Sequence, residues 1–280
     1  MSGTPEAQNA PGHSDTASQL PDRVVYDKLE GCTRLGDAVL SHVWLYNAQT
    51  VLKRVEGCSL AEAEAMQLVR ERTSIPVPKI LKSFYQSDCD ASFIFMEYIP
   101  GEPLDQAWES CTASQRQNIV SQLKVMMQEL RSIGGNFIGT VPHGACNDQI
   151  FGNAVHQYGP YEDETAFLTG IALSLRACDA HPVWTEKVVA LVEALPRHNR
   201  IVFTHGDLVP RNILVRDGDV VGIVDWEMAG YYPEYWEYTK AHFFADYDHP
   251  WMEEKVLDQI LEPYPVELGL LLHTRKIFMY

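Results

Sequence analysis

The segment that most constrains this chain is a predicted β-hairpin with polar residues at its open end. Two apolar runs flank Asp217-Gly218 in the stretch NILVRDGDVVGIVDW, and an Asp-Gly pair in that setting is a strong signal for a tight turn. The hairpin would place Asn212 at the start of one strand and Asp225 at the end of the other. Both side chains can therefore project from the same end of the ribbon, and Asp207 precedes them on the adjoining loop.

These three polar side chains have the chemistry of a phosphoryl-transfer site. Two oxygen ligands held close together suit a hard cation such as Mg²⁺, which takes few protein ligands and completes its shell with water and phosphate oxygens. A nearby carboxylate that accepts a proton from an alcohol completes the set. A lone Asp on a turn is more often a cap, so the prediction depends on the spacing of Asp207, Asn212 and Asp225 together.

Composition restricts the class of protein and of ligand. With 280 residues and 46% hydrophobic content, the chain can bury the core of one large domain or of two lobes that share a cleft. Its formal net charge of −16 argues against a nucleic-acid partner, because binding to phosphate backbones depends on clustered Lys and Arg. The acidic balance is typical of a solvated surface, and it also leaves a cationic small-molecule substrate open.

The cysteines and the apolar runs indicate a cellular setting. Without a C-x-x-C pair, the six cysteines suggest reduced thiols and neither a zinc ribbon nor a disulfide framework. No apolar run approaches the roughly 18 residues that span a bilayer, and the first residues lack a signal segment. We therefore expect a soluble, cytoplasmic protein with no membrane partner.

Hydrophobic patterning divides the chain into three parts. Residues 1–22 are mostly small and polar, which predicts a disordered leader. Residues 23–98 are expected to form strands around one helix, ending in a Pro-Gly turn that would serve as a hinge. Residues 99–280 are mainly helical, with apolar residues every three or four positions between Ile119 and Ile133. The expected fold is α+β, with a small strand-rich lobe, a larger helical lobe and a cleft between them.

Ordered motifs from about residue 24 onward resemble a known superfamily. HGDLVPRN fits the H-x-D-x-x-x-x-N catalytic loop of the protein-kinase-like superfamily, in the H-G-D form typical of its aminoglycoside phosphotransferase and choline kinase branch. IVDWE resembles that branch's metal-binding strand, VLKRV the strand with the phosphate-binding Lys, and FIFMEYIPGEPL the hinge. The segment GYYPEYWEYTKAHF is similar to one common in fungal members. The resemblance implies a bilobal protein-kinase-like fold.

The resemblance also implies ATP and Mg²⁺ as cofactors and gives roles to the residues that match its motifs. Asp207 would be the catalytic base or the residue that orients the acceptor hydroxyl. Asn212 and Asp225 would be the magnesium ligands, and Lys53 would contact the α and β phosphates.

Further residues are implied to position these groups. Glu64 would hold Lys53 through an ion pair, with Glu62 as the competing candidate; Glu64 lies closer to the usual distance before the I-P-V-P turn. The backbone at Glu97 and Ile99 would receive the adenine edge, and His205 would brace the catalytic loop by a hydrogen bond.

One motif departs from the pattern. GCTRLGDAV occupies the place of the phosphate-covering loop but lacks the G-x-G-x-x-G spacing. It also fails as a P-loop, because Asp37 and Ala38 stand where Lys and Ser or Thr are required. A carboxylate there would repel phosphate, so a modest nucleotide affinity is expected.

The sequence thus predicts an ATP- and magnesium-dependent kinase that phosphorylates a hydroxyl of a small molecule. A catalytically inactive kinase-like scaffold or ligand-binding protein is the alternative from another class. A protein Ser/Thr kinase is disfavoured, because Gly206 precedes Asp207 and helix-like sequence resumes by about Trp236, which leaves little room for a peptide-docking segment.

Overall fold

A computed structural model of the chain describes residues 20–25, 29, 31–36, 42–151, 158–178, 181–243, 245 and 247–278. Strands form three sheets, and their bounds are β1 Thr33–Arg34, β2 Val43–Asn47, β3 Thr50–Glu56, β4 Ile80–Gln86, β5 Ala91–Glu97, β6 Glu102–Pro103, β7 Ile201–Thr204, β8 Ile213–Arg216, β9 Asp219–Ile223 and β10 Gly230–Pro233. The α-helices are α1 Ala61–Arg72, α2 Leu104–Ala107, α3 Ala113–Ser132, α4 Glu164–Ala177, α5 Pro182–Glu193, α6 Trp236–Phe243, α7 Pro250–Glu253, α8 Val256–Ile260 and α9 Pro265–Phe278. The protein is therefore α+β and bilobal, as predicted.

The N-terminal lobe is an antiparallel sheet with one helix packed against it. Its strand order is β1-β2-β3-β5-β4, and β2 and β3 form a hairpin with a turn in which Asn47 Oδ1 accepts the Gln49 N–H at 2.9 Å. In the register of the sheet, Lys53 on β3 lies opposite Ile94 on β5. Ile94 is fully buried, so the central strands hold the stem of Lys53 in a dry environment.

Hydroxyl side chains form hydrogen bonds at both ends of helix α1. Ser59 Oγ accepts the Ala61 N–H at 3.3 Å at the first turn. At the other end the Thr73 hydroxyl donates to the Val69 carbonyl at 2.7 Å, and the chain then turns through the I-P-V-P segment. The Pro76 carbonyl accepts the Ile223 N–H at 2.8 Å, so this turn ties the first lobe to the catalytic hairpin of the second.

The second lobe is built around α3 and the helices that follow it. Thr112 and Gln115 form a capping box at the start of α3, which satisfies backbone N–H groups that the first turn leaves unpaired. Residues 250–260 form two short helices, α7 and α8, instead of one continuous helix. Lys255 separates them with a φ of 52°, a left-handed conformation that an α-helix does not continue through.

Two small sheets position the catalytic segment. Strands β6, β8 and β9 form one, and the predicted turn between β8 and β9 has Asp217 and Gly218 at φ values of 56° and 88°. The other joins β7 to β10, a pairing that the sequence analysis did not predict. The aromatic residues after β9 contribute mainly to the core, since Trp226, Tyr232 and Trp236 are each no more than 1% exposed.

The start of the described chain contacts the sheet. Residues 1–19 of the predicted leader lie outside the described residues, as do Asp37 and Ala38 of the loop before β2. Leu20, by contrast, is buried, and its carbonyl accepts from Lys82 Nζ at 3.1 Å. The leader over residues 1–22 stays a prediction. No helix in the described part of the chain is long and apolar enough to cross a membrane.

Candidate active site

Lys53 lies at the centre of a charged cluster between the two lobes. Its Nζ is 2.9 Å from Glu62 Oε1, 2.6 Å from Asp225 Oδ1 and 3.2 Å from Glu227 Oε2. The Lys53 side chain is 10% exposed, so these charges interact in a medium far less polar than water. A lysine from the first lobe and the acid that ends the catalytic hairpin therefore meet directly.

Glu62 is the helix partner of Lys53, and the predicted ion pair with Glu64 is wrong. The reason is the phase of α1: Glu62, Met66 and Val69 lie on its buried face, three or four residues apart. Glu64 is two residues on from Glu62 and is turned away by about half a helical circumference. It lines an open groove against the second lobe instead.

The charge state of the cluster follows from burial and from its own ions. Burial raises the pKa of Glu62 to about 6, against the lowering effect of Lys53. Burial would lower the pKa of Lys53, but the charges of Glu62, Asp225 and Glu227 outweigh it and raise the pKa. Burial likewise opposes the charged form of Asp225, yet Lys53 lowers its pKa overall. Lys53 is therefore held as a cation and Asp225 as a carboxylate.

The catalytic loop brings Asp207 and Asn212 together. Asn212 Nδ2 donates to both the carbonyl and the Oδ2 of Asp207, each at 2.9 Å. Arg211 Nη2 donates to the same Oδ2 at 2.7 Å. Oδ1 of Asp207 accepts no hydrogen bond from a residue that the structure describes, so one carboxylate oxygen is left for an acceptor hydroxyl.

The backbone of the loop is held by residues around His205 and Gly206. The His205 ring accepts the Asp207 N–H through Nδ1 at 3.2 Å, and its Nε2 donates to the Val224 carbonyl at 3.0 Å. Its bracing contacts match the role implied by the resemblance. Gly206 has a φ of 80°, and a Cβ there would lie 2.7 Å from the Met228 carbonyl oxygen, which explains the glycine of the H-G-D form.

Glu237 on α6 accepts two backbone hydrogen bonds from the same turn. One of its carboxylate oxygens accepts the His205 N–H at 2.5 Å, and the other accepts the Gly206 N–H at 3.2 Å. Glu237 is 1% exposed, and this burial raises its pKa. Its contacts depend on the packing of α6 under the loop, which no local signal reveals.

The donor set beside Lys53 fits a magnesium ion. The Val224 N–H donates to the Asn212 carbonyl at 2.9 Å, which places Asn212 beside the residue that precedes Asp225. Asn212 Oδ1 and Asp225 Oδ2 accept no hydrogen bond within the described part of the chain, and both are hard oxygen donors. Three carboxylates surround the one ammonium of Lys53, an excess of negative charge that a divalent cation would offset.

An ion bound here would take few protein ligands. The described residues form no cluster of three or more His, Cys, Asp or Glu side chains suited to a metal. A site of one amide and one carboxylate oxygen suits Mg²⁺ only when water and phosphate oxygens complete the shell. This is the coordination expected for a metal that arrives with a nucleotide.

The hinge residues Glu97 and Ile99 lie where β5 leaves the sheet. The Glu97 N–H donates to the Lys79 carbonyl at 2.9 Å, so this donor is already paired. The Ile99 N–H makes no hydrogen bond to any residue that the structure describes. The Ile99 side chain packs on the catalytic hairpin, since a Cβ at Gly222 would lie 3.0 Å from its Cδ1.

Comparisons with known proteins define the class. The described fold is similar to that of a thermostable mutant of aminoglycoside phosphotransferase APH(4)-Ia in its apo form, with a TM-score of 0.61, 14% identity, and 88% of this chain and 84% of that chain covered. A ternary complex of the same enzyme with AMP-PNP and hygromycin B gives 0.60 at 14% identity, covering 89% of this chain and 84% of that one. The gentamicin–APH(2″)-IIa complex gives 0.56 at 17% identity, with 86% and 79% covered. At such identities the likeness shows the fold, which is protein-kinase-like.

The family follows from the sequence itself. Residues 42–263 match the phosphotransferase enzyme family known as APH. Since this match covers more than half of the chain, the protein belongs to that family. A search among curated proteins gave no match.

Proposed function

We propose that this protein is an ATP- and magnesium-dependent kinase that transfers the γ-phosphoryl group of ATP to a hydroxyl of a small molecule. One observation carries the proposal: Lys53 from the first lobe lies 2.6 Å from Asp225 of the second, beside Asn212 and the catalytic loop. Membership of a phosphotransferase family supports it.

The geometry suits an in-line displacement. The acceptor oxygen would attack the γ-phosphorus, the bond to the β,γ-bridging oxygen would break, and ADP would leave with the electron pair. The acceptor proton would pass to Asp207 Oδ1 and then to solvent, which gives ADP, a phosphate monoester and a proton. Mg²⁺, held by Asn212 and Asp225, would offset charge on the phosphates, and Lys53 would contact their α and β oxygens.

The nucleotide would lie between the lobes, with its adenine edge at the hinge. The Glu97 carbonyl would accept from the adenine amino group, and the Ile99 N–H would donate to the ring. Asp207 would act mainly by positioning the acceptor, since catalysis of phosphoryl transfer depends on alignment and charge stabilisation.

A peptide acceptor is less well supported than a small molecule. Residues 226–235 are the whole connection between Asp225 and the start of α6, and β10 within it is paired with β7. That pairing leaves no free segment on which a peptide would dock. A cationic acceptor, which the overall charge leaves open, would have Glu227, whose side chain is 42% exposed beside Lys53, as a carboxylate partner.

Substitution of Asp207 tests the proposal most simply. We expect Asp207→Ala to lower turnover by about 10²- to 10⁴-fold, the range that a positioned acid or base contributes. ADP formation would be followed with ATP, Mg²⁺ and a panel of small alcohols. Asp88→Ala, at an exposed aspartate between β4 and β5, is the matched control and should keep full activity. Equal activity of the two variants would refute the assignment.

A further inference from the structure

A cavity lies against the outer side of the catalytic loop, and we call it the loop pocket. Its volume is about 180 Å³. One wall is formed by Val209, Pro210 and Arg211 of the catalytic loop, and the facing wall includes Ala245, His249 and Trp251. At ~30 Å³ per water in the liquid, it holds about six waters. It thus has room for a compact polar molecule, smaller than the drug-sized ligands of typical pockets.

Arg211 joins this pocket to the catalytic carboxylate. Its Nη2 and Asn212 Nδ2 both donate to Asp207 Oδ2, at 2.7 and 2.9 Å. These two donors fix the carboxylate and leave Oδ1 as the oxygen that can receive an acceptor hydroxyl. Asp207 does not line the loop pocket itself, but a molecule in the pocket that contacts Arg211 is separated from Asp207 by that one hydrogen-bonded guanidinium.

In the described part of the chain, most of the donors of the Arg211 guanidinium have no hydrogen-bond partner. Its side chain is 53% exposed, whereas that of Asp207 is 11% exposed. A guanidinium carries five N–H donors, and within the described residues Arg211 makes only the bond to Asp207. The remaining donors are available to a planar anion such as a carboxylate, which arginine binds through two parallel hydrogen bonds.

The other polar groups of the pocket do not supply a competing cation. His249 Nδ1 accepts the Trp251 N–H at 3.1 Å, and its Nε2 donates to the Asp105 carbonyl at 3.3 Å. Both ring nitrogens are thus engaged, in the pattern of a neutral imidazole. The Asp105 carboxylate is exposed, so water and salt screen its repulsion of an anion.

We propose that the loop pocket receives the acceptor and that Arg211 binds a carboxylate carried close to the reacting hydroxyl. The preferred acceptor is then a small hydroxy acid. The proposal rests on the kinase function above and deepens it. It departs from the cationic acceptor that the net charge leaves open, because the charged group next to the reacting carboxylate is a guanidinium.

Four acceptors with one carbon skeleton test the charge preference: 3-hydroxybutyrate, 3-hydroxybutanamide, 4-aminobutan-2-ol and butane-1,3-diol. ADP formation by the full chain would be measured with ATP and Mg²⁺. We expect kcat/KM for the hydroxy acid to exceed that for its amide and for the amino alcohol by about tenfold or more, the usual gain from a charged hydrogen-bonded pair.

Variants assign the preference to Arg211. Arg211→Gln removes a donor to Asp207 Oδ2 and should lower kcat for all four acceptors alike; in addition it should raise KM for 3-hydroxybutyrate by about tenfold, with no such rise in KM for the diol or for ATP. Arg211→Lys keeps the positive charge but lacks the planar guanidinium, so its KM for 3-hydroxybutyrate should lie between those of the parent and of Arg211→Gln. Arg197→Gln, at an exposed arginine after α5, is the matched control. Ala245→Phe should fill the pocket and weaken all four acceptors without changing ATP binding.

The outcomes separate this proposal from the kinase function. Asp207-dependent phosphorylation that is equal for all four alcohols, or that favours the amino alcohol, overturns the acceptor assignment and leaves the kinase standing. An Arg211→Gln protein with an unchanged preference does the same. If no alcohol is phosphorylated and ATP is not turned over, both proposals fail.

Discussion

Two ion pairs meet at the candidate active site, and they lie in opposite surroundings. Lys53 and Glu62 have side chains that are 10% and 4% exposed, while Arg211 is 53% exposed beside an Asp207 that is 11% exposed. In the buried pair the two ions are not equivalent: without Lys53 the Glu62 carboxylate would be an uncompensated charge in a poorly solvated place, whereas without Glu62 the Lys53 ammonium would still face Asp225 and Glu227. An exposed pair adds ~0–1 kcal/mol to stability. The first is thus part of the fold, and the second is available to a ligand.

Removal of Glu62 should have the largest effect on stability. Glu62→Ala would remove the buried partner of Lys53, while Asp225 and Glu227 would still offset the ammonium charge, so we expect a loss of about 3 kcal/mol in the free energy of unfolding, the lower end for a broken buried pair. Urea denaturation measures it. Glu64→Ala, two residues along the same helix, makes no such contact and should stay within ~0.5 kcal/mol of the parent. Similar losses in both variants would contradict the buried pairing.

Glu237 should show an intermediate effect. Glu237→Gln keeps the size of the side chain but replaces a carboxylate that accepts two backbone N–H groups by an amide with one accepting oxygen. The expected loss is about 1–3 kcal/mol, with lower kcat because the loop that carries Asp207 is less well held. Unfolding curves and steady-state rates would check it. A Glu237→Gln protein with parental stability and rate would show that these two hydrogen bonds are not needed to hold the loop.

Arg211 should have the smallest effect on stability. Arg211→Gln removes a half-exposed pair, so we expect a change of no more than ~1 kcal/mol in the free energy of unfolding. Thermal unfolding without ligand would measure it. A loss as large as that from Glu62→Ala would mean that the exposed Arg211–Asp207 pair stabilises the fold as much as the buried Lys53–Glu62 pair, contrary to the difference in their exposure.

Local signals explain what could be predicted from the sequence. The turn at Asp217-Gly218 follows from residues that are adjacent in the chain, and it places Asn212 and Asp225 at one end of a short ribbon. The interval between Asp207 and Asn212 is likewise short, so their contact needs no long-range packing. Most of the catalytic segment therefore needs only strand and turn rules.

Helix phase was a usable signal that the prediction overlooked. Met66 and Val69 mark the buried face of α1, and Glu62 lies on that face at four and seven residues before them. The choice of Glu64 instead relied on distance from the I-P-V-P turn, which does not determine the direction of a side chain.

The remaining differences depend on packing between distant segments. The pairing of β7 with β10 joins residues about thirty positions apart. The hydrogen bonds from His205 and Gly206 to Glu237 depend on this pairing, because it brings α6 beneath the catalytic loop. The hydrogen bond from Arg211 to Asp207 is local in sequence. The loop pocket beside Arg211, by contrast, is formed in part by residues of α6 and α7, which lie much further along the chain. No single stretch of sequence contains that information.

The central claim is that Lys53, Asn212 and Asp225 surround a divalent ion and the phosphates of ATP. Isothermal titration calorimetry of ATP, with and without Mg²⁺, tests it most directly in the parent protein and in Asp225→Asn. The account predicts that Mg²⁺ strengthens ATP binding to the parent and that the substitution removes most of this gain. ATP binding that is insensitive to Mg²⁺ in the parent, or equally strengthened in Asp225→Asn, would contradict it.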